Sequence, residues 1–338
     1  MEVTIKDVAR KAETSISTVS RVINKGPYIS KEMAKRVNRA IKELNYTPNV
    51  RGRNLARKKT GIVAFFTRSD ASTAFINPHL YAIMDGVQSA LAKKQYTMTY
   101  VGYEQPTLAN LKEVISSKSI DAIILHASAL TKGMADYLIE SKIPHTIIGV
   151  PPFPSNACWV DNNNILSGEL AARHLYNIHK KQIGFLGGQF RDYISEVRLQ
   201  GVQKELKKHS MFVPESWIFN THSDHNEAKE TVLDLYQKGG RLPNGLICAN
   251  NAIALGALQA LKILNVKIPE EVAVITFDDY PYATITDPMT TTITIDVHDL
   301  GYQAGRLVVE KIQKPEYHFQ TYMTIPTLNI RKSTLQTH

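Results

Sequence analysis

Thr4-Ile5-Lys6-Asp7-Val8-Ala9-Arg10-Lys11-Ala12-Glu13-Thr14-Ser15-Ile16-Ser17-Thr18-Val19-Ser20-Arg21-Val22-Ile23-Asn24 is the stretch from which the organisation of the chain can be read. Thr4, with Asp7 three residues on, can cap a first helix that puts Ile5, Val8, Ala9 and Ala12 on one face. Glu13-Thr14-Ser15 interrupts the pattern. From Ser17 to Asn24 the apolar positions Val19, Val22 and Ile23 turn inward, while Ile16, Ser17, Thr18 and Arg21 point elsewhere. Two short helices joined by a tight turn form the helix-turn-helix outline, whose second helix enters the DNA major groove. A third helix from Ser30, with Met33, Ala34, Val37, Ala40, Ile41 and Leu44 at helical spacing, closes this small core near Asn45.

Charge agrees with that reading. The chain has 338 residues, 43% hydrophobic and 21% charged, enough for two or three cores. Its formal charge of +9 is uneven, with 15 Lys+Arg against 5 Asp+Glu in residues 1–60 and 25 against 26 in the rest. A basic head on a near-neutral body reads as a phosphate-neutralising anchor attached to a separate function. The opening is too polar for a signal peptide and no run approaches the roughly 18 apolar residues of a membrane span, so a cytoplasmic protein is expected. Cys158 and Cys248 have no metal-ligand or disulfide spacing and read as buried hydrophobes, so no metal and no cofactor is expected.

From Thr60 onward β-rich runs (61–66, 122–125, 146–150, 183–187, 245–249, 272–277) alternate with helical patterns (80–93, 167–176, 252–264). About ten such units exceed one doubly wound sheet, so two subdomains follow, with crossings near Trp159-Val160-Asp161-Asn162 and Thr290 to Asp296. The expected fold class is α/β: an all-α helix-turn-helix head plus a bilobed core of two doubly wound parallel sheets. The expected boundaries are 1–48 for the head, 49–59 for a linker and 60–338 for the core. Within the core the first subdomain takes about 60–160 and 291–320, and the second about 161–290 and 321–338. Ligands of such bodies sit in the cleft where strand carboxyl ends of both lobes converge. Enzyme signatures are missing: there is no GxSxG, HExxH or GxxxxGK[ST], and Gly187-Gly188 alone is no phosphate loop, so no catalysis is expected.

Residues 4–12, 17–24 and 44–49 together resemble the head of the LacI/GalR family of transcriptional regulators. Val160-Asp161-Asn162, Arg198 with Gly201, Ala254-Leu255-Gly256-Ala257, Phe277-Asp278-Asp279, Leu300-Gly301 and Arg331-Lys332-Ser333-Thr334 carry the likeness through the body. The resemblance implies a homodimeric repressor on a pseudo-palindromic operator and a core like the periplasmic sugar-binding proteins. It also implies DNA contacts from Thr4, Ile16, Ser17, Thr18, Arg21 and Asn24. Residues 49–57 are similar to the family's hinge helix, with Arg53, Asn54 and a minor-groove wedge, Leu55. Gly52 stands where the family usually has alanine and lowers free helicity.

By the same resemblance Arg198, Asn250 and Asp278, with Asp161 as a fourth, match polar effector-contacting positions, and Phe75 is a further candidate for the effector site. Charged and amide groups suit a sugar's hydroxyls, and Phe75 and Trp159 could stack on its apolar face. Asn250-Asn251 stands where the family has Asn-Asp, which removes a carboxylate near the cleft. Phe75-Ile76-Asn77-Pro78 and Thr291 to Val297 look most like maltose-type regulators of Gram-positive bacteria, which implies an α-glucoside. After residues 331–333 no leucine heptads follow, so the family's tail-borne tetramer is not expected.

Each of these positions also has a plainer reading. Ile16 could be core, and Arg21 could touch only backbone phosphate. Asp278-Asp279 could cap the next segment, Arg198 could be a paired surface arginine, and Asn162-Asn163-Asn164 reads as a helix start. Two other functions compete: a global catabolite regulator with a phosphorylated carrier protein as co-repressor, and a sugar-binding receptor without a DNA role.

Overall fold

The computed structural model describes residues 3–23, 26–46, 59–69, 78–188, 193–222, 224–238, 241–279, 281–316 and 320–335. The chain divides into two compact units, Met1–Gly61 and Ile62–His338.

In the first unit α1 (Ile5–Lys11), α2 (Ile16–Ile23) and α3 (Lys31–Glu43) follow the expected order. The backbone N–H and hydroxyl of Thr4 donate to Asp7 Oδ2 at 3.0 and 2.7 Å, which closes the start of α1. The turn is made by Glu13 in the left-handed conformation, φ 47°, and Arg36 of α3 donates to its carbonyl at 3.1 Å. Val8, Ala9, Ala12, Val19, Val37 and Ala40 are the buried core, with Ile5, Val22, Ile23, Met33, Ile41 and Leu44 packed around it. Six small or medium side chains make a shallow core, so the helices are also pinned by caps such as Ser30 Oγ, which accepts from Met33 N.

The second unit is built from strand-helix alternation. Its first strands are β1 (Ile62–Arg68), β2 (Thr97–Tyr103), β3 (Ala122–His126), β4 (His145–Ile148), β5 (Trp159–Asn162) and β6 (Ile183–Gly187). Then come β7 (Ile218–Asn220), β8 (Gly245–Cys248), β9 (Ala273–Phe277), β10 (Thr291–Thr294), β11 (Tyr322–Thr324) and β12 (Thr327–Asn329). Helices between them are α4 (Pro78–Ala92), α5 (Leu108–Ser116), α6 (Lys132–Glu140), α7 (Asn164–Asn177), α8 (Tyr193–Lys207), α9 (His225–Gln237), α10 (Asn251–Ile263), α11 (Pro281–Ile285) and α12 (Val297–Gln313). One sheet runs β11-β5-β4-β3-β1-β2 and is parallel throughout; the other runs β12-β10-β9-β8-β6-β7, with only β12 antiparallel.

Central strands such as β3 and β9 are continuous apolar runs because both faces are covered, the mark of parallel sheets. The chain changes sheets after Asn162, after Thr294 and between Thr324 and Thr327. The first two changes fall inside the crossing runs 159–162 and 290–296, and all three lie a few residues beyond the approximate bounds of 160, 290 and 320. Strands β5 and β11 end the first sheet and β10 belongs to the second, because pairing partners rather than local composition decide where a strand goes. Strands β2, β7, β11 and β12 carry no clear signal in the sequence. Three of them are only three residues long, and β2 alternates half-exposed side chains.

Helices α7 and α8 are held by an ion network. Glu205 accepts from Arg173 Nε and Nη2 at 2.9 Å each and from Lys208 Nζ at 2.6 Å; Glu169 accepts from Lys204 at 2.6 Å. Arg173 above all, then Lys208, hold the Glu205 carboxyl down to about 2 from its ordinary 4.5, against the opposing effect of burial. A lowered native value means the carboxylate stabilises the fold above pH 4.5 and that this part is lost as pH falls toward 2. Arg173 and Lys208 are 42% and 49% exposed, so solvent screening reduces the contribution to about 1 kcal/mol. Glu205→Gln is expected to lower stability at neutral pH and to flatten the melting-temperature profile between pH 4.5 and 2; an unchanged acid slope would refute this.

Candidate functional site

In the head, Ser15 organises the start of α2. Its Oγ accepts from Thr18 N at 3.1 Å and shares hydrogen bonds with Ser17 Oγ at 2.7 Å and Thr18 Oγ1 at 2.9 Å. With Val19 fully buried, the opposite face carries Ile16, Ser17 and Arg21 outward, and Ile16 is 44% exposed. Ile16 is therefore not a core residue. Thr4 is exposed and already engaged with Asp7, and Thr18 is half-buried. Asn24, Arg53, Asn54 and Leu55, together with the rest of 47–58, lie outside the described residues.

In the second unit the polar residues gather at strand carboxyl ends. Arg198, on the second turn of α8, is 4% exposed. Its Nε donates to Asn164 Oδ1 at 3.1 Å and its Nη1 to Ala249 O at 2.7 Å; its guanidinium lies 4.3 Å from the centre of the Phe277 ring, and Nη2 is 3.7 Å from Asp278 Oδ1. It is a buried, fully oriented arginine. Asp278 follows β9 in the left-handed conformation, φ 69°, and its buried Oδ1 makes no hydrogen bond. A buried carboxylate oxygen without a donor is costly, so this atom marks a place where a ligand hydroxyl or amine would be stabilised. The neighbouring Asp279 is tied to the structure through Oδ2, which accepts from Arg331 Nη2 at 2.8 Å and Asn329 Nδ2 at 3.0 Å, while its buried Oδ1 makes no hydrogen bond but lies 2.7 Å from the Arg331 guanidinium.

Asp161 accepts from Val150 N at 2.9 Å and Asn162 N at 2.6 Å, so both its oxygens tie down the crossing segment, while burial pushes its carboxyl up. Asn250 caps α10 by accepting from Ile253 N at 3.0 Å. Of the asparagine run, Asn163 caps α7 by accepting from Leu166 N at 2.9 Å, as a helix start should, and Asn164 additionally receives Arg198. Trp159, at the start of β5, is half-buried and packs against one core of the first sheet. Phe75 lies outside the described residues.

Four residues join this site that the sequence does not point to as a group. His79, at the start of α4, has its imidazole held low by burial above all, with the Asp278 charge raising it and the Arg198 charge lowering it. His126, the last residue of β3, is pushed down to about 4 by burial and then by His79. Its Nδ1 accepts from Ser128 N at 3.3 Å, which leaves the proton of the neutral ring on Nε2 as a donor. Tyr193, at the start of α8, has its hydroxyl raised by burial and by Asp161. Asn251 donates through Nδ2 to Phe277 O at 2.9 Å and Asp278 O at 2.8 Å. Asn251 is marked through the Asn250-Asn251 departure from the family pattern, and His126 carries a local signal: a polar residue directly after four buried apolar ones ends a parallel strand, where such sheets place their sites. Among the described residues no group of His, Cys, Asp and Glu could hold a metal ion, and no helix is long and apolar enough to cross a membrane.

Known proteins fit this geometry. Residues 4–49 match the bacterial regulatory proteins of the lacI family and residues 172–334 the periplasmic binding protein-like domain. The HTH-type transcriptional repressor PurR of Haemophilus influenzae is 30% identical over 337 residues, covering 98% of each chain. The ribose operon repressor of the same organism is 28% identical over 332 residues, again 98% of each. Among solved structures, the lac repressor dimer bound to operator and the anti-inducer ONPF superposes with a TM-score of 0.83 at 21% identity, covering 99% of this chain and 100% of that one. A complex of the transcriptional regulator CelR with cellobiose gives 0.73 at 24% identity, covering 98% and 100%. Those two share the fold. The relatives over the full length are repressors and not enzymes, and with a basic helix-turn-helix head in place, the chain is a DNA-binding transcriptional repressor of the lacI family.

Proposed function

We propose that the chain represses carbohydrate-utilisation genes in the cytoplasm as a homodimer on a pseudo-palindromic operator, and that a neutral sugar, an α-glucoside such as maltose, is its effector. The observation that carries the sugar reading is the buried, donorless Asp278 Oδ1 beside the oriented Arg198, with the Nε2–H of a neutral His126 as a complementary donor. Hydroxyl groups both donate and accept, which matches such a lining, and among the described residues no cation there is left over for a phosphate. The ribose operon repressor and the cellobiose complex among similar proteins support a carbohydrate. Sugar binding alters the angle between the two lobes, and coupling to the paired hinge segments changes operator affinity by about 1 to 3 kcal/mol.

The deciding experiment is a thermal-shift screen with maltose, cellobiose, ribose, galactose and their phosphates, followed by operator titrations with each hit. A shift with a free sugar that also moves operator affinity is the expected result. No response to free sugars, together with binding to a phosphorylated carrier protein, would replace the sugar reading with catabolite co-repression. Failure to prefer any operator over random duplex at moderate salt would remove the DNA role.

At the DNA face, Arg21, Ser17 and Ile16 meet the major groove and Leu55 wedges the minor groove. Ile16→Ala is expected to leave melting unchanged, because Ile16 packs into no core, and to weaken specific binding by about tenfold. Leu55→Ala should weaken specific binding far more than non-specific binding. Equal losses on both would refute the wedge.

A further inference from the structure

We propose that Asn251 is a positioning residue for the effector cleft: its side-chain amide pins the two backbone carbonyls that flank the Asp278 Cα and thereby aims the Asp278 carboxylate at the ligand. The assignment rests on the sugar reading above.

Asn251 is the first residue of α10 and is 7% exposed. Such a position favours an acidic side chain, since the helix dipole stabilises negative charge there. An amide stands there instead, and its Nδ2 donates to two carbonyls at once, Phe277 O at 2.9 Å and Asp278 O at 2.8 Å. Only the nitrogen end can face two acceptors, so the amide's orientation is fixed by chemistry. Asp278 needs such support. It is a non-glycine residue at φ 69°, a conformation that persists only where the surroundings over-determine it. Its N–H donates to Ile293 O at 2.9 Å, and its C=O is held by Asn251. With both backbone groups anchored, the side chain leaves one oxygen buried and without a hydrogen-bond donor, 3.7 Å from Arg198 Nη2. A carboxylate at 251 would reverse this. It would set an oxygen against two carbonyl oxygens and a second negative charge near Asp278, with Arg198 the cation that faces them and the depressed His79 ring beyond.

The test uses the full chain as wild type, Asn251→Asp and Asn251→Ala. The probes are maltose, cellobiose, ribose and galactose, with effector affinity, ligand-free operator affinity and melting temperature as readouts. Expected are ligand-free operator affinity close to wild type, a modest loss of melting temperature from the two carbonyls left without their donor, and about tenfold weaker binding of whichever probe the wild type binds, in both variants. In Asn251→Asp that loss should recover as pH falls from about 7.5 to about 5.5, because a protonated acid regains an O–H donor, whereas Asn251→Ala stays flat. Variants that bind the probe as wild type does overturn the assignment alone. Equal losses of operator affinity and melting, or an Asn251→Asp variant with no pH recovery, reduce Asn251 to a general fold contact. A wild type silent to all four probes overturns the sugar reading, and the assignment falls with it.

Discussion

Arg198→Ala abolishes the effector response, with effector affinity reduced at least about 100-fold and ligand-free operator affinity within about threefold of wild type. The geometry explains the size. The side chain is 4% exposed and serves four partners: Asn164, the Ala249 carbonyl, the Phe277 ring and Asp278. Removing it leaves Asp278 as an uncompensated buried charge, and Asn164 Oδ1 and Ala249 O each lose a charged donor. A loss of about 3 kcal/mol of stability is expected with it. Arg198→Lys keeps the charge but loses the planar fork that reaches Asn164 and Ala249 together, so it should fall between the two. Operator titration by fluorescence anisotropy, with and without the active sugar, checks the result. An alanine variant that still responds would take Arg198 out of the cleft.

The second large effect is expected from backbone packing and not from charge. A Cβ added at Gly201 would stand 2.0 Å from Ile165 O, and one at Gly168 would stand 2.0 Å from Arg198 O. Both obstacles are backbone, so α7 and α8 have to move apart by more than about 1 Å, the shortfall from ordinary van der Waals contact. Gly201→Ala should destabilise the second unit by about 3 kcal/mol, a melting decrease on the order of 6 to 12 °C. Because Arg198 lies one turn before Gly201 and meets Asn164 of α7, effector affinity should fall as well. Gly133→Ala is the control. At Gly133 the added Cβ meets only Leu108 Cδ2, at 3.6 Å, and helix propensity favours alanine there by about 0.5 to 1 kcal/mol. Differential scanning calorimetry of the two variants decides the matter: equal shifts would mean that close helix contact at Gly201 is not what holds α7 to α8.

The elements of the chain are legible wherever a local physical rule is strong. Helices α1 to α3 follow from their apolar spacing and caps, and β1, β3, β4, β6, β8 and β9 from continuous apolar runs that only doubly covered strands carry. Residues at strand ends can be nominated from the sequence but not sorted. Asp278 and Asp279 are adjacent and alike in sequence, yet Asp279 is neutralised by Arg331 from the end of the chain and Asp278 faces Arg198. Asp161, of the same chemistry, spends both oxygens on backbone N–H groups. Trp159 has the chemistry of a stacking ring, and only the structure shows that it packs half-buried against a core of the first sheet.

Charge segregation, helical periodicity and the two-part head-and-body plan belong to the sequence by itself, because each depends on residues within a turn or two of one another. Which aspartate faces the buried arginine, which arginine is buried, where the chain changes sheets, and which carbonyls the Asn251 amide reaches were decided only by tertiary structure. Those outcomes depend on groups far apart along the chain being brought within hydrogen-bonding distance, and no local pattern encodes which partner arrives.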